Sequence, residues 1–147
     1  MFTPIGYVKT RITEKVDHNW GDIVSDLIIN EDFSDGLKGL VNFSHIIVVY
    51  NLHEAKFNRE KHLIRKPQGR DDMPFVGIFA QRAKDRPNPI GVTSVALLSV
   101  TENVISVKGL DAIDGTPILD IKPYYPQYDR KEATVPEWVN ILMKDYF

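Results

Sequence analysis

Apolar positions in this chain fall in short runs bounded by Gly, Pro, Asn and Asp, and most of them alternate or cluster instead of recurring at helical spacing. Ile5–Thr10 reads as a first strand and Ile23–Ile29 as a second. Phe43–Leu52 carries the strongest signal: its β-branched centre, Ile46-Ile47-Val48-Val49, is continuously apolar, which predicts a strand covered on both faces. Phe75–Ala80, Val92–Val100, Val104–Leu110 and Ile118–Ile121 complete the set. Glu102-Asn103 predicts a hairpin tip and Asp114-Gly115 a tight turn. Alternation within Pro117–Pro123 assigns Leu119 and Ile121 to one face and Asp120 and Lys122 to the other.

Helical spacing is clear in one place. Trp138, Ile141, Leu142 and Tyr146 recur as a helical stripe after Thr134-Val135-Pro136-Glu137, which has the form of a capping box with proline in the first turn. A short helix over 34–38 competes with the turn expected of Gly36 and Gly39. Residues 11–22 read as a loop, although Trp20 is a large apolar group to leave in water. The stretch from His53 to Arg70 lacks apolar periodicity and reads as a long loop, a kind of segment that is often functional. About seven short strands and one firm helix make an all-β barrel or sandwich with minor helical additions.

With 147 residues the chain suits one domain with a real core, and its 43% apolar content is ordinary for a globular protein. No apolar run reaches membrane-spanning length and no charged-then-apolar leader precedes Ile5, so a cytoplasmic protein without a membrane partner is expected. The absence of cysteine removes disulfides and thiolate chemistry. The net charge of −2 is unevenly spread. Between Lys56 and Arg86 nine Lys/Arg stand against four Asp/Glu, an excess of five positive charges; the remainder, with nine against sixteen, carries an excess of seven negative ones. A basic segment in an acidic chain fits an anionic partner or a solvated face.

The candidate chemistry centres on Gly77–Thr93. An apolar entry leads to Arg82 and Arg86, then to Pro87-Asn88-Pro89, whose rings hold Arg86 and Asn88 in extended or turn geometry. Two fork-shaped cations beside a stiff turn and Gly91 suit a carboxylate, a phosphate or a ribose-bearing ligand. Neither Gly-x-Gly-x-x-Gly after a strand nor a Walker-type loop is present, so a nucleotide would be bound outside those two folds. His53-Glu54 begins like a zinc-protease helix, but Phe57 stands where the second histidine belongs, and His18, His45, His53 and His62 lack metal-ligand spacing; no metal site is expected.

Phe43-Ser44-His45 before the long strand, Phe79-Ala80-x-Arg82, Arg86-Pro-Asn-Pro-Ile-Gly91 and Asp114-Gly-Thr-Pro117-x-x-Asp120-Ile-Lys-Pro-Tyr124 together resemble the TsaA-like, or TrmO, family. The resemblance runs from Ile5-Gly6 to about Tyr128. It implies a small closed or nearly closed antiparallel β-barrel of about seven strands with a C-terminal helix. It further implies S-adenosylmethionine as cofactor, a homodimer with the cofactor near the subunit interface, and N6-methylation of threonylcarbamoyladenosine beside the anticodon of tRNA. The alternatives left open are a methyltransferase of the same fold acting on another RNA or a small molecule, and a non-catalytic cofactor-binding module.

Carried over by motif, the cofactor-binding positions are His53, Glu54, Arg82, Ile90, Gly91, Val92, Asp111, Ile113, Asp114, Gly115 and Thr116. Asn88 and Asp120 are candidates for orienting the acceptor nitrogen. Lys56, Arg59, Lys61, Arg65, Lys66, Arg70, Lys84 and Arg86 are the expected phosphate contacts. A Pro-Arg-Gln-type segment that many relatives carry in the first long loop is replaced here by Asp17-His18-Asn19-Trp20. Bacterial relatives also extend well beyond the barrel.

Overall fold

The computed structural model describes residues 1–147. Six strands close into an antiparallel barrel: β1 (Gly6–Lys9), β2 (Val24–Ile29), β3 (His45–Asn51), β6 (Ile90–Thr101), β7 (Val104–Lys108) and β8 (Pro117–Pro123). Around the barrel their order is β1-β2-β7-β6-β3-β8, with β8 returning to β1. Two further strands, β4 (Ile64–Arg65) and β5 (Val76–Gly77), form a separate small hairpin between β3 and β6. Short helices α1 (Arg59–His62), α2 (Pro126–Asp129) and α3 (Glu137–Met143) decorate the body. No helix is long and apolar enough to cross a membrane.

The barrel closes because alternate residues of each strand point inward and are apolar. Val8, Leu27, Ile29, Ile46, Val48, Tyr50, Val95, Ile105, Val107, Leu110, Ala112 and Ile118 make one buried cluster. Strand β6 is long enough to serve two neighbours, pairing Ile90–Ala96 with β3 and Ala96–Thr101 with β7. An extra residue at Leu98 bends it between the two ladders and leaves that side chain outward. The hairpin tip falls at Glu102-Asn103 as expected, with Glu102 at φ 56°.

Several expectations change. Strand β3 buries Ile46, Val48 and Tyr50 inward, while Ile47 and Val49 are half-covered, so its apolar centre does not mean equal burial on both faces. In β8 the register against β3 slips by one between Val49↔Asp120 and Tyr50↔Ile118, leaving Leu119 as the extra residue. Alternation restarts there, so Ile118 and Ile121 both reach the core and Leu119 and Ile121 do not share a face. Phe75–Ala80 is not one strand: β5 supplies two residues, and Ile78–Ala80 form a single 3-10 turn. Residues 31–37 form 3-10 turns in place of an α-helix over 34–38. The Thr134–Glu137 capping box is not made; Pro136 is the N-cap of α3 and no side chain caps it.

The loop expected over 11–22 contains a core residue. Trp20 is fully buried in a 3-10 turn, and its indole N–H donates to the Val16 carbonyl at 2.8 Å. The far end of the chain holds it there. The Asn19 and Trp20 amides donate to the carbonyls of Asp145 and Tyr146, at 2.9 and 2.8 Å. A Cβ on Gly21 would stand 2.7 Å from the Phe147 backbone, so glycine is what lets the two segments lie side by side.

Candidate functional site

One end of the barrel gathers the end of β3, the loop after β1, the start of β6 and the connection from β7 to β8. A cleft there is lined by Lys15, Tyr50, Leu52, His53, Glu54, Ala55, Lys84, Asp111, Ala112, Ile113 and Thr116. The expected positions His53, Glu54, Asp111, Ile113 and Thr116 meet in it, although they come from two segments far apart in sequence. Its enclosed room is only about 20 Å³, enough for one water, so a larger ligand must lie along its open mouth.

The floor of the cleft is a buried polar cluster. One carboxylate oxygen of Asp111, Oδ1, accepts from the hydroxyls of Thr93 and of Tyr50, the latter at 2.9 Å; the other, Oδ2, accepts from the Tyr146 hydroxyl. Tyr50 and Thr93 also touch through their hydroxyls at 3.1 Å. Burial pushes the Asp111 carboxyl up, but the donated hydrogen bonds of Thr93, Tyr146 and Tyr50 and the charge of Lys15 outweigh it and hold the group below the ordinary carboxylate range. Burial, followed by the Asp111 charge, pushes the phenols of Tyr50 and Tyr146 well above their ordinary value. Asp111 is therefore an ionised anchor whose lone pairs are largely engaged by its own chain.

Gly91 explains how Tyr50 reaches this position. A Cβ there would stand 2.4 Å from two carbons of the Tyr50 ring, so the ring lies flat over strand β6 only because residue 91 has no side chain. Arg82 comes close from the same side: its guanidinium donates to the Val92 carbonyl, and its charge acts on the Tyr50 hydroxyl. Arg82 does not line the cleft and is exposed near Tyr50. Ile90 and Val92 are exposed on the barrel wall.

The turn ahead of β8 is tied to β1 and the loop that follows it. The Thr10 amide donates to Asp114 Oδ1 at 3.0 Å, the Asp114 amide to the Ile12 carbonyl at 2.7 Å, and the Gly115 amide to the Val8 carbonyl at 2.8 Å. Gly115 takes φ 80°, which the tight turn requires. Asp114 and Gly115 thus shape the cleft's wall without lining it. Asn88 is exposed in the proline turn, and Asp120 sits on β8 paired with Lys122 at 3.0 Å; neither lines the cleft.

The basic positions sort into three groups. Lys84 lines the cleft itself. Lys61, Arg65 and Lys66 face a separate open hollow on the β4–β5 hairpin, while Lys56 and Arg59 are exposed beside it. Arg70 and Arg86 are committed elsewhere. Arg70 makes a two-pronged pair with Asp72, at 2.9 and 2.7 Å. Arg86 donates to the carbonyls of Gln81, Ala83 and Ile78, at 3.0, 3.1 and 3.5 Å, and so braces the loop ahead of β6.

Tyr50, Thr93, Tyr146 and Lys15 are site residues that sequence reasoning passed over. A tyrosine at the inward end of an apolar strand carried the signal, since a buried phenol needs a partner.

The family model for the tRNA-methyltransferase O N-terminal domain matches residues 17–130, and the chain belongs to that family. A probable S-adenosyl-L-methionine-binding protein of Pyrococcus abyssi is 38% identical over 143 residues, covering 94% of this chain and 75% of that protein. The tRNA (adenine(37)-N6)-methyltransferase of Mus musculus is 32% identical over 135 residues, covering 86% of this chain but 31% of its own length. The crystal structure of TrmO from Pseudomonas aeruginosa superposes with a TM-score of 0.73 at 29% identity, over 92% of this chain and 60% of that one. This chain therefore spans somewhat less than two thirds of that solved relative, with the barrel as the shared part.

Proposed function

We propose that the cleft binds S-adenosylmethionine and that the protein transfers its methyl group to N6 of threonylcarbamoyladenosine next to the anticodon of tRNA. The observation that carries this is the meeting of His53-Glu54 with Asp111–Thr116 in one cleft at the barrel's end. The mouse relative's name supplies the tRNA position, and the Pyrococcus relative's name the cofactor.

Sulfonium transfer needs in-line placement of donor and acceptor more than covalent chemistry, and a rigid floor supplies that placement. In this reading Asp111 fixes the floor, and Glu54 is the carboxylate available to ribose hydroxyls or the cofactor's amino group. Arg82 lies outside the cleft near Tyr50, so in this reading it meets the cofactor carboxylate where the ligand runs out along the mouth. The acceptor nitrogen is a weak nucleophile because its lone pair is delocalised, and the groups the cleft offers for its proton are His53 and Glu54. The small enclosed volume calls for a second wall over the mouth. A homodimer that brings the partner's surface over the site supplies one.

The test is calorimetry with S-adenosylmethionine and its demethylated product, alongside methyl transfer to tRNA carrying threonylcarbamoyladenosine. Binding in the parent, about tenfold or more weakening in Glu54→Ala and Arg82→Ala, and a new methyl on that nucleoside by mass spectrometry are expected. An unchanged nucleoside overturns the tRNA assignment. A second reading, a cofactor-binding module without transfer, is favoured by the naming of the archaeal relatives as binding proteins. Tight binding with no labelled methyl passed to any RNA fraction would establish it instead.

A further inference from the structure

The hollow on the β4–β5 hairpin lies apart from the cleft and has its own chemistry. It is open, about 360 Å³, and lined by Lys61, His62, Arg65, Lys66, Gly69 and Phe75. Phe75 is 70% exposed, with the Lys66 ammonium 5.2 Å from its ring centroid. We propose that this hollow is a subsite for one unpaired nucleotide of an RNA, its base stacked on Phe75 and its phosphate held by Lys61, Arg65 and Lys66. The inference rests on the tRNA reading above and narrows it to where the RNA is gripped.

The platform is preorganised. Gln81 Nε2 donates to the carbonyls of Arg65 and Val76, both at 2.9 Å, clipping the two short strands together from below. The Asn58 side chain caps α1 by accepting from the amides of Glu60 and Lys61, at 3.0 and 3.1 Å. Pro67, Met73 and Ile78 are buried outside the barrel core, giving the hairpin apolar support of its own. Asp85 lies 3.8 Å from both Arg65 and His62 and orients Arg65, while Lys66 donates to the Asp71 carbonyl at 3.3 Å, with Asp72 near enough to feel its charge, so the cations at the hollow are held in place. The Asn58 amide donates to His62 Nδ1 at 2.9 Å, which turns the other ring nitrogen towards Asp85.

An exposed ring beside several cations is the pairing that single-stranded nucleic acid selects, because stacking and phosphate contacts are its two handles. A paired A-form helix offers no free base face, so the ligand is a loop nucleotide. An anionic membrane would use the charges but has no aromatic face to stack on Phe75, which favours the nucleotide over the lipid.

The test measures binding of a fluorescein-labelled anticodon stem–loop, and of a fully paired duplex of the same length, across a salt series. Phe75→Ala should weaken loop binding roughly 5- to 100-fold with the salt slope unchanged. Phe75→Tyr should restore it, and duplex binding should not move. Lys61→Gln and Lys66→Gln should each lower the slope by about 0.7. Circular dichroism confirms that the variants fold, as an exposed side chain predicts. Loop affinity unchanged in Phe75→Ala, while the parent still methylates tRNA, overturns the subsite and leaves the tRNA reading standing. A parent that neither binds the stem–loop nor methylates tRNA overturns both. Phe75-dependent binding to phosphatidylserine vesicles without loop binding assigns the hollow to a lipid surface and overturns the proposal.

Discussion

The barrel's end and the β4–β5 hairpin both concentrate polar side chains, but they spend them differently. At the barrel's end, Asp111 is surrounded by three hydroxyls of its own chain, and the cleft it floors is tight. On the hairpin, cations face an open hollow and the main apolar group, Phe75, stands in water. The first arrangement gains rigidity by satisfying its buried carboxylate internally and leaves His53 and Glu54 at the mouth; the second leaves its cations at an open surface. Accurate placement of a small ligand calls for the first kind of surface, and contact with a flexible polyanion for the second.

The largest expected effect tests the closed region. Asp111→Ala strands the hydroxyls of Thr93, Tyr50 and Tyr146 in a buried setting and should cost about 3 kcal/mol or more of unfolding free energy, read from urea titration. A loss within experimental error would mean that the cluster relaxes freely and is not a floor.

The next separates the regions by pH. Tyr50 and Tyr146 have raised pKa values in the folded protein, so their contribution is complete below about pH 10, where the unfolded chain's tyrosines begin to ionise. Above that, stability should fall by up to about 1.4 kcal/mol per pH unit for Tyr50 and by less for the more exposed Tyr146. Asp111 acts at the other limit: its lowered pKa stabilises the fold above about pH 4, and that is lost as pH drops further. Thermal melts from pH 3 to 11 should show both edges, and Tyr50→Phe should soften the alkaline one. An alkaline edge unchanged in Tyr50→Phe would remove the cluster as its cause.

The smallest effect belongs to the hairpin. Arg70 is already paired with Asp72 at the surface, so Arg70→Ala should shift stability by less than about 0.5 kcal/mol and leave RNA affinity nearly unchanged. An RNA loss as large as that of Arg65→Gln would show that the pair opens on binding.

Much of the barrel is readable from local pattern, because inward and outward residues alternate along each strand. Val8, Leu27, Ile29, Ile46 and Val48 follow that rule, and Asp114-Gly115 announces its turn. The reading fails where a distant segment decides the outcome. Trp20 looks stranded until residues 145–147 arrive beside it. Leu119 looks inward until one extra residue resets the register. The β4–β5 hairpin has two residues per strand, too few to produce an alternation that stands out from a loop. At the site, Asp111 reads as an ordinary turn residue because its partners lie 18, 35 and 61 positions away. Gly91 signals a close approach correctly, but what approaches is the Tyr50 ring.

Tyr146, finally, gives the site a schedule. It is made 35 residues after Asp111, and its hydroxyl is the sole donor to one of that carboxylate's two oxygens. During synthesis the barrel strands can pair as they leave the ribosome, yet the Asp111 cluster stays one donor short until this tyrosine has emerged and turned back. A fusion or truncation that disturbs positions 145–147 would take this donor from Asp111 without altering any strand.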